Sequence, residues 1–259
     1  MKASFTVLAF LGLAVCAGAA GTDYMDAGKW HPRKNVTFAD GKITVSGKAE
    51  LLCRDAFPVD PAKKYKIRVA AARTGGDKPS LIYVAFYPTD SRSRWIAAGA
   101  VAAASGTETA LAAPVQPGDR VIFVRDASRW KTSYKGGIHY NAKKDLSDIP
   151  NNLNLNANPT DITRDGSRWK IQLDKPVKVS LPQGVSVRQS EGGGYFHVGA
   201  KYLSGPHVFE AVLSGHAAPP QAGKWWKGTA FARLQLLVNW NAEAKKNTVE
   251  ITEISLEEE

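Results

Sequence analysis

Apolar side chains in this chain recur at every second residue from Ile43 onward, and no long stretch carries the 3.6-residue spacing of an amphipathic helix. Tyr65, Ile67, Val69 and Ala71 alternate with Lys66, Arg68 and Ala70. Near the end of the chain Ala232, Leu234, Leu236, Val238 and Trp240 share one phase, opposite Arg233, Gln235 and Asn239. Successive residues of a strand point to opposite faces, so each run supplies one apolar face for a core. Residues 81–87 form a more continuous apolar run, as in a strand covered on both sides. Between the runs stand Asp40-Gly41, Gly75-Gly76, Gly118-Asp119, Gly136-Gly137, Asp165-Gly166 and Gly192-Gly193-Gly194, all turn chemistry. The pattern predicts an all-β fold, a two-sheet β-sandwich of jelly-roll type.

The last strand carries a phase error. Val249 and Ile251 set one phase, Ile254 and Leu256 the other. One extra residue near Thr252 and Glu253, a β-bulge, would return both pairs to the core. A second irregularity lies at 134–166, which is poor in strand formers and holds Asn141, Asn151, Asn152, Asn154, Asn156 and Asn158. We expect a long Asn-rich loop insertion there, either an ordered excursion held by its own amides or a binding loop. With no repeat and no linker, residues 20–259 are expected to form one domain, in which about 126–215 elaborate the core sandwich.

Residues 1–19 read as a signal peptide: Lys2, an apolar run too short to span a bilayer, then Ala17-Gly18-Ala19. The mature protein is therefore expected to be secreted or periplasmic, without a transmembrane segment. Lipidation at Cys16 is the lesser alternative, since Val15 stands where lipoprotein leaders usually carry a small residue. Cys53, in an apolar stretch, is expected to be a buried hydrophobe. Two cysteines and five dispersed histidines offer no zinc spacing, and the common nucleophile, phosphate-loop and metalloprotease motifs are absent. No cofactor is expected, and no clear motif supports a structural calcium ion. The formal net charge is +10, one less once Lys2 leaves with the leader. In an exported β protein such charge points to anionic polymers other than nucleic acid.

The segments "AELLCRDAFPVDPAKKYKIRVAAART" and "VEITEISLE" resemble the opening and closing strands of galactose-binding-like jelly rolls, as in carbohydrate-binding modules of families 4, 9 and 22. The resemblance covers both ends of the domain and skips its middle. It implies a sandwich and a carbohydrate ligand; where the family often has aspartates in the last strand, Thr252 and Glu253 stand here. Separately, "YFHVGAKY" is similar to a Tyr-Phe-Lys-x-Gly-x-Tyr strand of jelly-roll alginate lyases, with His197 in place of the lysine and one residue added.

The densest candidate site is "VRDASRWKTSYKGGIHYNAKK", residues 124–144. Arg125, Arg129, Lys131, Lys135, Lys143 and Lys144 face the single acid Asp126, with Trp130, Tyr134 and Tyr140 interleaved. Rings stack on the C–H faces of sugars, and guanidinium and ammonium groups pair with carboxylate or sulfate. Arg125, Arg129, Trp130, Lys131, Tyr134, His139 and Tyr140 are thus candidate ligand contacts. Trp226 of "GKWWKG" is a candidate platform, because adjacent strand residues cannot both face the core. Trp95 and Trp240 are assigned to the core. Asp145 and Asp148 read as turn caps and not as an acid/base pair.

These features favour a non-catalytic carbohydrate-binding protein for an anionic polysaccharide. Two other readings stay open: a lyase or hydrolase acting on an acidic glycan, and a structural envelope-associated protein.

Overall fold

The computed structural model describes residues 23–259; the leader, its cleavage site and Cys16 lie outside the described residues. In chain order the strands are β1 (Val36–Ala39), β2 (Lys42–Ser46), β3 (Ala49–Leu52), β4 (Phe57–Pro58), β5 (Lys64–Gly75), β6 (Ser80–Thr89), β7 (Thr109–Ala110), β8 (Val121–Val124) and β9 (Ile138–Tyr140). They continue as β10 (Pro159–Asp165), β11 (Arg168–Leu173), β12 (Ser186–Gln189), β13 (Phe196–Leu203), β14 (Pro206–Ser214), β15 (His216–Ala217), β16 (Trp225–Trp226), β17 (Phe231–Val238) and β18 (Thr248–Glu258). The one α-helix among the described residues is the single turn α1 (Ala98–Val101).

Two antiparallel sheets form a β-sandwich. One runs β1-β2-β18-β5-β14; the other runs β13-β6-β17-β3, with β4 added to β17. The alternating apolar phases of both meet in one core: Ile43, Ile67, Val69 and Ile251 from the first sheet, Leu51, Val84, Phe86 and Leu234 from the second. Cys53 is free and buried in it. Between β6 and β13 the chain leaves the sandwich and builds two three-stranded sheets, β10-β11-β8 and β7-β12-β9. These enclose a second core around Leu111, Ile122, Val124, Ile171 and Val187. β13 and β14, within the stretch 126–215, pair with β6 and β5 in the main sheets, whereas β7 and β8 lie before it and belong to the excursion.

The phase error in β18 is resolved by a bulge. Ile251 pairs with Ala71 and Glu253 with Ala70, leaving Thr252 unpaired and exposed while Ile251 and Ile254 are both buried. Removing Thr252 would place Ile251 and Ile254 two apart on an unbroken strand, still on one face. Deletion of Thr252 is therefore expected to keep the fold and to move Tm by no more than about 4 °C. Loss of the cooperative transition in a circular-dichroism melt would contradict that account of β18.

The outer faces of the two sheets differ in character. On the first, Arg68 bridges Glu210 and Glu253, and Lys42 meets Glu250 at 3.1 Å. Such exposed pairs give a solvated ladder worth little energy. The second sheet turns Tyr83, Tyr87, Arg233, Gln235 and Glu50 outward, in the phase opposite its core residues. That face holds aromatic and hydrogen-bonding groups together.

Candidate functional site

Tyr87 stands near the end of the outward row of β6, and Trp95 lies over it, ring centroids 5.7 Å apart and planes inclined by 15°. The turn that returns Trp95 to this place is set by Asp90, whose carboxylate accepts from the backbone N–H groups of Arg92 and Arg94, both at 2.9 Å, and from Arg94 Nε at 2.8 Å. Burial pushes the Asp90 carboxyl up, but these donors outweigh it and hold it below its ordinary value. Trp95 then bridges back to Thr89 and remains 49% exposed. The Arg233 guanidinium also lies over Tyr87, 4.7 Å from the ring centroid.

Beside this stack the excursion meets the sandwich, and three neighbouring recesses share Gly194 in their walls. The widest, about 490 Å³, is walled by Ala98, Ala102, Phe196, His197, Pro219 and Trp226. A polar arm of about 290 Å³ carries Lys135, His139, Asn151, Asn152, Asn154 and Asn156. The smallest, about 160 Å³, lies against the sheet between Trp95, Tyr195, Tyr87, Glu50 and Gln235. The glycines make this junction sterically feasible. A Cβ at Gly136 would lie 2.2 Å from the Glu191 carbonyl oxygen, and one at Gly193 would lie 2.7 Å from the Ala98 Cβ. Tyr195, next to the glycine run, is 39% exposed and meets the edge of Trp240 at 6.0 Å.

The polar arm is organised by amides. Asn154 Nδ2 donates to the Gly136 carbonyl at 2.9 Å and faces His139 Nε2 at 3.2 Å. Its Oδ1 accepts from the Asn156 N–H at 2.7 Å. Asn151 donates to the Tyr140 carbonyl at 3.2 Å and to Asp148 at 2.7 Å. His139 is 2% exposed, and burial drives its pKa down to about 4, a fall opposed by the Gly136 carbonyl and aided by Arg188.

The basic segment is placed differently from its expectation. Trp130 is 6% exposed, packs in the second core and donates through Nε1 to the Thr107 carbonyl at 2.8 Å. Its ring has no open face for a ligand. Trp226 is likewise 6% exposed: β16 is covered on both sides, with Trp225 in the aromatic core and Trp226 tilted on Phe196 at 5.1 Å. It borders the wide recess as wall, not as platform. His139 is buried, and Tyr140 packs against the second core. Arg125, Arg129 and Lys131 are exposed, and Tyr134 is half-buried beneath the Lys131 ammonium at 5.1 Å. Arg129 lies against Gly106, next to Ser105 of the wide recess, and Lys135 lines the polar arm. Trp95 and Trp240, assigned to the core from sequence, are exposed and half-buried, the latter under Lys48 Nζ at 3.9 Å. As their reading as turn caps predicts, Asp145 and Asp148 hold a series of turns over 141–148, Asp145 accepting from the Ser147 N–H and Asp148 from the Lys143 N–H. Among the described residues no group of acidic, histidine or cysteine side chains has the arrangement of a metal site.

From the sequence Trp95 is assigned to the core and Tyr195 enters only through the lyase-like strand, while Tyr87, Glu50 and Gln235 are not proposed as ligand contacts. The available signal was the phase of Glu50 and Gln235, polar residues in the outward positions of strongly apolar strands.

No family model matches the chain, and no curated protein matches it. One solved structure it resembles is the carbohydrate recognition domain of Emp46p in its metal-free form. The two share 10% identity over 88% of each chain with a TM-score of 0.33, a superposition too loose to equate residues.

Proposed function

We propose that this chain is an exported, non-catalytic carbohydrate-binding protein whose ligand is an anionic polysaccharide lying in the branched cleft around Gly194. The observation that carries the reading is Trp95: an indole half open to solvent, braced flat on Tyr87, at the mouth of a recess that also holds Tyr195 and hydrogen-bonding groups. A rigid exposed ring next to polar side chains suits the alternating C–H and O–H surfaces of a sugar. Lys135 in the polar arm and Arg129 beside Ser105 supply cationic edges for acidic substituents. Arg125 and Lys131 extend that charge along the chain.

Retention of the protein on immobilised alginate or pectate is expected to fall as salt rises, because the cationic contacts are exposed and screened. Trp95→Ala should weaken it about tenfold, the loss of roughly 1.4 kcal/mol of ring contact. Lys135→Ala should reduce its dependence on salt. Wild-type retention by Trp95→Ala would remove the cleft from consideration. Release of unsaturated ends during incubation, abolished in Tyr195→Phe or His197→Ala, would replace binding by lyase chemistry; both residues line the wide recess.

A further inference from the structure

Gln235 is a polar residue with 1% exposure at the base of the smallest recess. Its Nε2 donates to Glu50 Oε1 at 2.7 Å. An ionised carboxylate only accepts, so this bond fixes which end of the amide faces Glu50. The amide oxygen points elsewhere, and Gln235 Oε1 is buried with no hydrogen-bond partner among the described residues. An acceptor left unmatched in this way is costly, and folded proteins retain few of them without reason. Arg233, the cation nearest in sequence on this face, is held over Tyr87 instead. The remaining oxygen of Glu50 receives no side-chain donor among the described residues. Gln235 Oε1 and one oxygen of Glu50 are thus two unengaged acceptors among the residues that line this recess, between the aromatic walls of Trp95, Tyr87 and Tyr195.

Resting on the carbohydrate reading above, we infer that this recess is a subsite for one sugar ring presenting adjacent hydroxyls, which donate to Gln235 Oε1 and the Glu50 carboxylate. A volume of about 160 Å³ holds a single ring and no longer segment. A carboxylate or sulfate brought to the same place would meet acceptor with acceptor and the negative charge of Glu50. An acidic substituent must then point out of this recess, toward the arm that carries Lys135.

Periodate cleaves the bond between carbons bearing adjacent hydroxyls, so alginate and pectate, intact and periodate-oxidised, test the subsite with the unaltered protein. Oxidation is expected to weaken retention at least tenfold, with the acidic groups untouched. Gln235→Leu should give a similar loss on the intact polymers while keeping the salt dependence of the wild type. Equal retention of intact and oxidised polymer overturns the inference whether or not Gln235→Leu folds. If Trp95→Ala loses binding while oxidation and Gln235→Leu change nothing, the hydroxyl subsite is wrong and the cleft stands. If the wild type retains neither polymer, both fall together.

Discussion

Replacing Asp148 by alanine is expected to destabilise the fold by about 3–5 kcal/mol, the cost of stranding a buried cation. Arg188 on β12 is 1% exposed, and its guanidinium meets both Asp148 oxygens, at 3.3 Å and 2.9 Å. The same carboxylate accepts from the Lys143 N–H at 3.0 Å and from Asn151 Nδ2 at 2.7 Å. Arg188 in turn donates to the Lys143 carbonyl at 3.1 Å. One acid thereby fastens three separated points of the excursion. Burial pushes the Asp148 carboxyl up, yet Arg188 and the other donors win and hold it below the ordinary carboxylate range. Alanine removes the acceptor and leaves the guanidinium inside. The pair Asp148→Leu with Arg188→Met should recover most of the loss, because an apolar replacement removes both charges together. Denaturant unfolding of the two variants decides the matter. A loss below about 1 kcal/mol for Asp148→Ala would show that the ion pair does not hold the Asn-rich segment to β12.

The same segment shows how far the sequence can be read. Alternation exposed the sandwich strands, and the change of phase between Ile251 and Ile254 located a real bulge, because one face of β18 must meet a core. The limits of the excursion were hidden because its apolar strand residues, such as Ile122, Val124, Ile171 and Val187, are buried like those of the sandwich; a second core makes the same demand as the first. Trp130 was read as exposed from the charges of Arg129 and Lys131. Its fate is set by the Thr107 carbonyl, 23 residues away, which no local pattern reveals. Trp95 and Ile96 are neighbours on opposite sides of the backbone, and sequence does not say which one turns inward; the Asp90 turn decides for Ile96. Glu50 and Gln235 are 185 positions apart and meet only because β3 pairs with β17. Ligand-facing groups of this kind become visible when strand order is known.

Between pH 7 and pH 4 the protein is expected to lose stability through His139, above the range in which the lowered carboxyls of Asp90, Asp148 and Asp174 protonate. Asn154 Oδ1 is engaged by the Asn156 N–H, so its Nδ2 must face the imidazole and Nε2 must accept. The ring is thus neutral, buried, and close to the guanidinium of Arg188, while Asp148 is too occupied by that guanidinium to favour a second cation strongly. The folded state holds the pKa at about 4 against an ordinary 6.5. The unfolded chain therefore takes up a proton first. The contribution is complete above pH 6.5, falls by about 2 kcal/mol at pH 5, and approaches a loss of about 3 kcal/mol at pH 4 and below. Asp90, Asp148 and Asp174 are all held below 3.8, so their own losses come at lower pH. His216, also lowered by burial, shifts in the same direction but is exposed enough for water to screen it. Denaturant unfolding at pH 7 and pH 5 should differ by about 2 kcal/mol in the wild type and by much less in His139→Gln, which offers an acceptor to Asn154 without a titrating ring. An equal difference in both proteins would assign the acid sensitivity to other groups. A wild type indifferent to pH over this range would mean that His139 reaches water in the folded state, and the polar arm would then be open at its base.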